Sequence, residues 1–150
     1  MDASIDTFPQ MTIAAVRHTG PYNQISEAFF LLGSAVKLAG LDAPKANLVG
    51  IYYDDPKTTP AAELRADAGL TVSAGTEIKP PLTSVTLAAG RYAKTTHVGP
   101  YEQLPAKWAE LYKWAGKRAT PGPSFELYRN DPSTAKPAEL ITELYLPVTA

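Results

Sequence analysis

Apolar residues cluster along Met11-Thr12-Ile13-Ala14-Ala15-Val16-Arg17, which reads as a first strand. After His18-Thr19-Gly20-Pro21 the period changes. Tyr22, Ile25, Phe29, Leu32, Val36 and Ala39 recur at steps of three and four, predicting an amphipathic helix with one buried stripe. Pro21 suits the helix entrance, where its missing N–H would be unpaired anyway, and Gly40 suits the exit. Over 48–53 the period falls to two: Val49 and Ile51 alternate with Gly50 and Tyr52 in a second strand. Lys57-Thr58-Thr59-Pro60 is a turn. A third strand follows over 64–72, with Leu64, Ala66, Ala68 and Leu70 on one face. Residues 73–82, rich in Gly, Pro and Thr, read as a connector, and the residues before Met11 as a short tail.

The same order then repeats. Residues 85–98 supply strand material, expected to bend near Ala88-Ala89-Gly90. His97-Val98-Gly99-Pro100-Tyr101 copies His18-Thr19-Gly20-Pro21-Tyr22 at an offset of 79, and the helix stripe copies too, as Tyr101, Leu104, Trp108, Leu111 and Ala115. Pro105 conflicts with a helix running from Tyr101, so the regular helix is expected after Leu104. Beyond the helix the offset is 76: Phe125, Leu127, Tyr128 and Asp131-Pro132 match Val49, Ile51, Tyr52 and Asp55-Pro56, and Glu143 matches Asp67. One position differs in kind, Glu126 against Gly50. Each half reads strand, helix, strand, strand. The expected fold is α+β, two such modules about a pseudo-two-fold, with antiparallel sheets and a ligand groove between the halves. One domain is expected, with module one over about 1–74, the connector over about 73–82 and module two over about 83–150.

Composition narrows the function. The chain has 150 residues, enough for one core, and no apolar run long enough to span a bilayer. Absence of cysteine removes disulfides, thiolate chemistry and zinc–cysteine sites. Neither a metal site nor a cofactor is indicated. The opening residues lack signal-peptide regions, so a cytoplasmic location is expected. The net charge is −1, without the basic stripe of a nucleic-acid binder; Lys107, Lys113, Lys117 and Arg118 read as a solvated helix face. His18 and His97 recur at one bend in both halves, which favours a structural role for them.

The His-x-Gly-Pro-Tyr segments, the Asp-Pro turns and the ending Thr142-Glu143-Leu144-Tyr145-Leu146-Pro147-Val148 resemble the GyrI-like small-molecule-binding domain. This is the AraC-type effector-binding domain found in the regulators BmrR and Rob, and the resemblance covers about Met11 to Val148. In regulators the domain follows a helix-turn-helix DNA reader. This copy, with only a short stretch ahead of residue 11, is expected to stand alone and to make no direct contact with nucleic acid. The resemblance also implies two strand-helix-strand-strand (SHS2) modules, and a glutamate facing a cationic aromatic ligand within a cage of tyrosines. Carried over, that glutamate is Glu126, with Glu143 and Tyr145 at the acidic and tyrosine positions of the last strand.

Alternation places Phe125, Leu127, Val49 and Ile51 on the face toward the helices. It puts Glu126, Tyr128, Tyr52, Glu143 and Tyr145 on the other face, lining the groove. Tyr92 and Trp108 join the candidates by pattern, although Trp108 replaces Phe29 on the helix stripe. Carboxylates among aromatic rings suit a hydrophobic, cationic or neutral small molecule. Three functions compete. The first is multidrug-type small-molecule binding. The second, implied by stand-alone relatives, is hydrolysis of cyclopropane-bearing DNA-alkylating compounds, with Glu126 as base and Tyr128 or Tyr145 as proton donor. The third is a protein partner, DNA gyrase, which the family's namesake inhibits.

Overall fold

The computed structural model describes residues 1–41 and 45–149. Among the described residues, ten elements carry the fold: β1 (Ala3–Phe8), β2 (Met11–Thr19), α1 (Ser26–Ala39), β3 (Leu48–Tyr52), β4 (Arg65–Val72), β5 (Thr83–Leu87), β6 (Gly90–Val98), α2 (Leu104–Ala115), β7 (Ser124–Tyr128) and β8 (Ile141–Pro147). The strand-helix-strand-strand order is therefore present twice, as β2-α1-β3-β4 and β6-α2-β7-β8, and the class is α+β with antiparallel pairing. The chain forms two compact units. One is Gln10–Ala88; the other joins Met1–Pro9 to Ala89–Ala150.

In the unit Gln10–Ala88 the strand order is β3-β4-β2-β5. Helix α1 buries Ala28, Leu32, Ala35 and Val36 against Ala14, Ala68 and Leu70. In the other unit the order is β1-β6-β8-β7. Helix α2 buries Leu104, Leu111 and Ala115 against Ala93, Leu144 and Leu146. Leu32 and Leu111 are fully enclosed, each contributing ~1.5–3 kcal/mol of burial energy.

Two expectations fail. Residues 3–8 are not a tail: they pair with β6 from Ala3 opposite Thr95 to Phe8 opposite Gly90. The segment is too short for its alternation to stand out, and only its long-range partner makes it a strand. Residues 85–98 are not one bent strand either. β5 pairs with β2, whereas β6 pairs with β1 and β8. The apolar pattern runs through the change of partner, which falls between Ala88 and Ala89, where the compact units divide.

The repeat is built from the same local hydrogen bonds. His18 Nε2 donates to the Pro21 carbonyl (2.9 Å) and His97 Nε2 to that of Pro100 (3.3 Å). The Gly20 and Gly99 amides each donate at 2.8 Å, to Leu64 and Leu140. Both glycines have positive φ, 131° and 143°, a conformation side-chain-bearing residues rarely adopt. The histidines thus brace the turn that launches each helix. A short 3-10 turn opens each launch, Tyr22–Gln24 and Tyr101–Gln103. Pro105 then sits in the first turn of α2, where its missing N–H costs nothing.

Candidate functional site

Directly opposed residues of an antiparallel ladder share a face. On β8, Leu144 and Leu146 pack in the α2 core as expected. Glu126 lies opposite Leu144, and Phe125 opposite Tyr145. Glu126 and Tyr128 therefore face α2, and Phe125 and Leu127 face away. The first repeat agrees: Gly50 lies opposite Ala68, which packs under α1, while Val49 and Ile51 share the far face with Gly69 and Asp67. The expected facing of Phe125, Leu127, Val49, Ile51, Glu126, Tyr128 and Tyr52 is thus reversed. The reason is burial on both sides. Ser124 to Leu127 are all buried, as are Val49 to Ile51, so an apolar residue does not mark the helix side.

Glu126 is 4% exposed. The indole Nε1 of Trp108 donates to its Oε2 at 2.6 Å, and the Tyr128 hydroxyl donates to its Oε1 at 2.6 Å. Tyr101, at the launch of α2, packs its ring 5.6 Å from that of Tyr128. Burial first, then the charges of Asp131 and Glu126, raise the Tyr101 phenol above its ordinary value. A desolvated carboxylate is costly unless donors meet it, and two short bonds do so here. The pair Trp108–Glu126 stands where the first repeat has Phe29 and Gly50. The first repeat has neither the donor nor the acceptor.

Thr142, opposite both Tyr128 and His97, adds a third polar group on this face. Its hydroxyl is fully buried with no hydrogen-bond partner among the described residues. Its counterpart is Ala66. Thr142 and Tyr101 were not among the sequence candidates. The exchange of Ala66 for Thr142 was a readable signal, of the same kind as Gly50 for Glu126.

Glu143, Tyr145 and Tyr92 form a separate group on the face away from α2. Tyr145 donates to Glu143 Oε1 (2.8 Å), Arg129 Nη2 lies 2.9 Å from that oxygen, and Lys94 Nζ lies 3.4 Å from Oε2. Burial pulls the Glu143 carboxyl up, but Arg129, Tyr145 and Lys94 together hold it below its ordinary value. Burial, then the bond to Glu143, pushes the Tyr145 phenol well above its usual range. The Tyr145 ring stacks on Phe125 at 4.5 Å and meets Phe8 and Tyr92 edge-on. Glu126 and Tyr145, the candidate catalytic pair, thus point to opposite faces. Tyr52 lies in the other unit, with its ring 4.9 Å from Tyr22. Among the described residues no group of three or more His, Asp or Glu is placed to hold a metal ion.

A buried carboxylate bonded by an indole and a phenol beneath a helix is what sets the second repeat apart from the first. Residues 1–149 match the GyrI-like small molecule binding domain. The chain belongs to that family. A DNA gyrase inhibitor of Yersinia enterocolitica is 34% identical over 137 residues, covering 85% of each chain. The EcmrR C-terminal domain superposes with a TM-score of 0.83 at 19% identity, over 99% of this chain and 97% of that one. This chain spans 57% of the longer EcmrR chain seen in its DNA complex. SAV2435 bound to tetraphenylphosphonium superposes with a TM-score of 0.72 at 18% identity, over 100% and 95%. These GyrI-like structural neighbours share the fold, and no helix among the described residues is long and apolar enough to cross a membrane.

Proposed function

We propose that this GyrI-like protein binds a hydrophobic, cationic small molecule on the α2 side of its second repeat, with Glu126 as counter-charge and Trp108, Tyr101 and Tyr128 as aromatic surface. The observation that carries the reading is the buried Glu126 carboxylate held by Trp108 and Tyr128. A delocalised cation gains cation–π attraction from such rings, of ~0.5–2 kcal/mol per contact, and needs no strong hydration. The tetraphenylphosphonium bound by SAV2435 is a ligand of this class. Trp108 makes the test direct. In a Trp114→Phe background, where Trp108 is the sole tryptophan, titration with tetraphenylphosphonium quenches fluorescence. Glu126→Gln weakens that binding about tenfold, or ~1.4 kcal/mol. No quenching by any hydrophobic cation up to millimolar concentration, or equal affinity in Glu126→Gln, would sink the proposal.

A second reading, inhibition of DNA gyrase, is supported by the name and the 34% identity of the Yersinia relative. It predicts that excess protein suppresses supercoiling by purified gyrase. Unchanged supercoiling at large molar excess removes it and leaves the ligand-binding reading intact.

A further inference from the structure

Helix α1 presents a second apolar face, opposite its buried stripe. On it Phe30 is 77% exposed, Leu31 59% and Leu38 90%. The second repeat supplies an internal control. At the offset of 79, Phe30, Leu31 and Ser34 correspond to Ala109, Glu110 and Lys113 on α2. The fold therefore accepts a charged surface at this place, and packing within the chain does not ask for an apolar one. Gly33 points the same way. A Cβ there would meet nothing within 4 Å, yet glycine is the costliest helix-interior residue short of proline. No contact among the described residues accounts for it. Close approach of another surface would.

We propose that this face joins two copies of the chain through an antiparallel α1–α1 pair. The face is self-complementary in that arrangement and in no parallel one. Glu27 and Lys37 lie equally far from Leu32 in opposite directions, as do Phe30 and Ser34. A two-fold at the level of Leu32 brings Glu27 to the partner's Lys37, twice. It sets Phe30 over the partner's Gly33 and Ser34, and Leu31 beside the partner's Ser34. Large side chains meet small ones, and opposite charges meet at both ends. Lys37 and Glu27 are the ionic groups of α1, so no like charges oppose. One helix pair buries less than the ~1,200 Å² of a standard stable interface, so the dimer is weak and reversible.

Sedimentation velocity of the full chain from micromolar to millimolar concentration tests this. The wild type shows a concentration-dependent monomer–dimer equilibrium. Leu31→Glu stays monomeric with unchanged helical circular dichroism. Gly33→Gln raises the thermal midpoint of the dilute monomer, since Gln is the better helix former, yet weakens association at least about tenfold by closing the gap. Glu27→Lys also weakens association, and Glu27→Lys with Lys37→Glu restores it. A wild type that is monomeric throughout, a Leu31→Glu dimer as tight as the wild type, or a double swap that fails to restore association overturns the proposal.

Discussion

At the scale of single residues, a carboxylate as enclosed as Glu126 needs donors, and the Trp108 indole is the one its own repeat supplies in place of Phe29. A hydrogen bond to a charged group contributes ~1.5–3 kcal/mol, so Trp108→Phe is expected to lower unfolding free energy by that amount in urea denaturation. In a Glu126→Gln background the loss should shrink by about 1 kcal/mol, because the amide is a weaker acceptor. Equal losses in both backgrounds would mean the contact carries no energy of its own. Thr142 carries the opposite sign. Its buried, unpartnered hydroxyl costs ~1–3 kcal/mol, and the nearly isosteric Thr142→Val is expected to stabilise the protein. Destabilisation by that change would show the hydroxyl to be satisfied. Glu126 was legible in the sequence because Gly50, its counterpart, has no side chain. Its bond to Trp108 was not, since a tryptophan on a helix stripe reads as packing whether or not its N–H has a partner.

At the scale of elements, both helices and the exits at Gly40 and Gly116 follow from the three-and-four spacing and its breakers. The facing of β7 did not, for alternation tells two faces apart only when one of them meets water. What decides it is the ladder: Glu126 beside Leu144, under α2. β1 was illegible for a related reason. Its pattern is weak, and its strand identity comes from β6, remote in sequence. That pairing has a measurable weight. Removing residues 1–9 strips β6 of one of its two neighbours, takes Phe8 from beside Tyr92 and Tyr145, and costs the Thr95 hydroxyl its bond to the Asp2 carbonyl. The truncated chain is expected to melt on the order of 10 °C lower and to scatter light on heating, as an uncovered strand edge should. A dispensable tail would leave the melting temperature unchanged.

At the scale of the whole molecule, a net charge of −1 leaves little long-range repulsion, so the pH limits of stability are set by local groups. The two repeats place acids at matching points, Asp67 buried and Glu143 partly buried. Asp67 lies between Arg17 (2.8 Å) and the Tyr53 hydroxyl (2.5 Å), and Glu143 among Arg129, Lys94 and Tyr145. The sequence showed the match of Asp67 with Glu143 but not the partners: Arg17 and Lys94 come from β2 and β6, remote in the chain, and Tyr53 and Arg129 from just past the ends of β3 and β7. The shifts fix the sign at each end of the pH scale. Glu143 is held below its ordinary value, so its contribution is complete above the unfolded carboxyl pKa and is lost as pH falls through the folded one. Tyr145 and Tyr53 are raised, both by burial and then by their bonds to Glu143 and Asp67, so their contribution is complete below the unfolded phenol pKa of 10.0 and is lost as pH climbs beyond it. Stability should therefore be flat across neutral pH and fall at both ends. Glu143→Gln flattens the acid fall, because the group that must be protonated is gone. Tyr145→Phe flattens the alkaline fall and softens the acid one, because Glu143 loses a donor that lowers its pKa. Urea midpoints measured from pH 3 to pH 11 for the three proteins test this; an acid limb of wild-type steepness in Glu143→Gln would show that the Glu143 cluster does not set the acid limit.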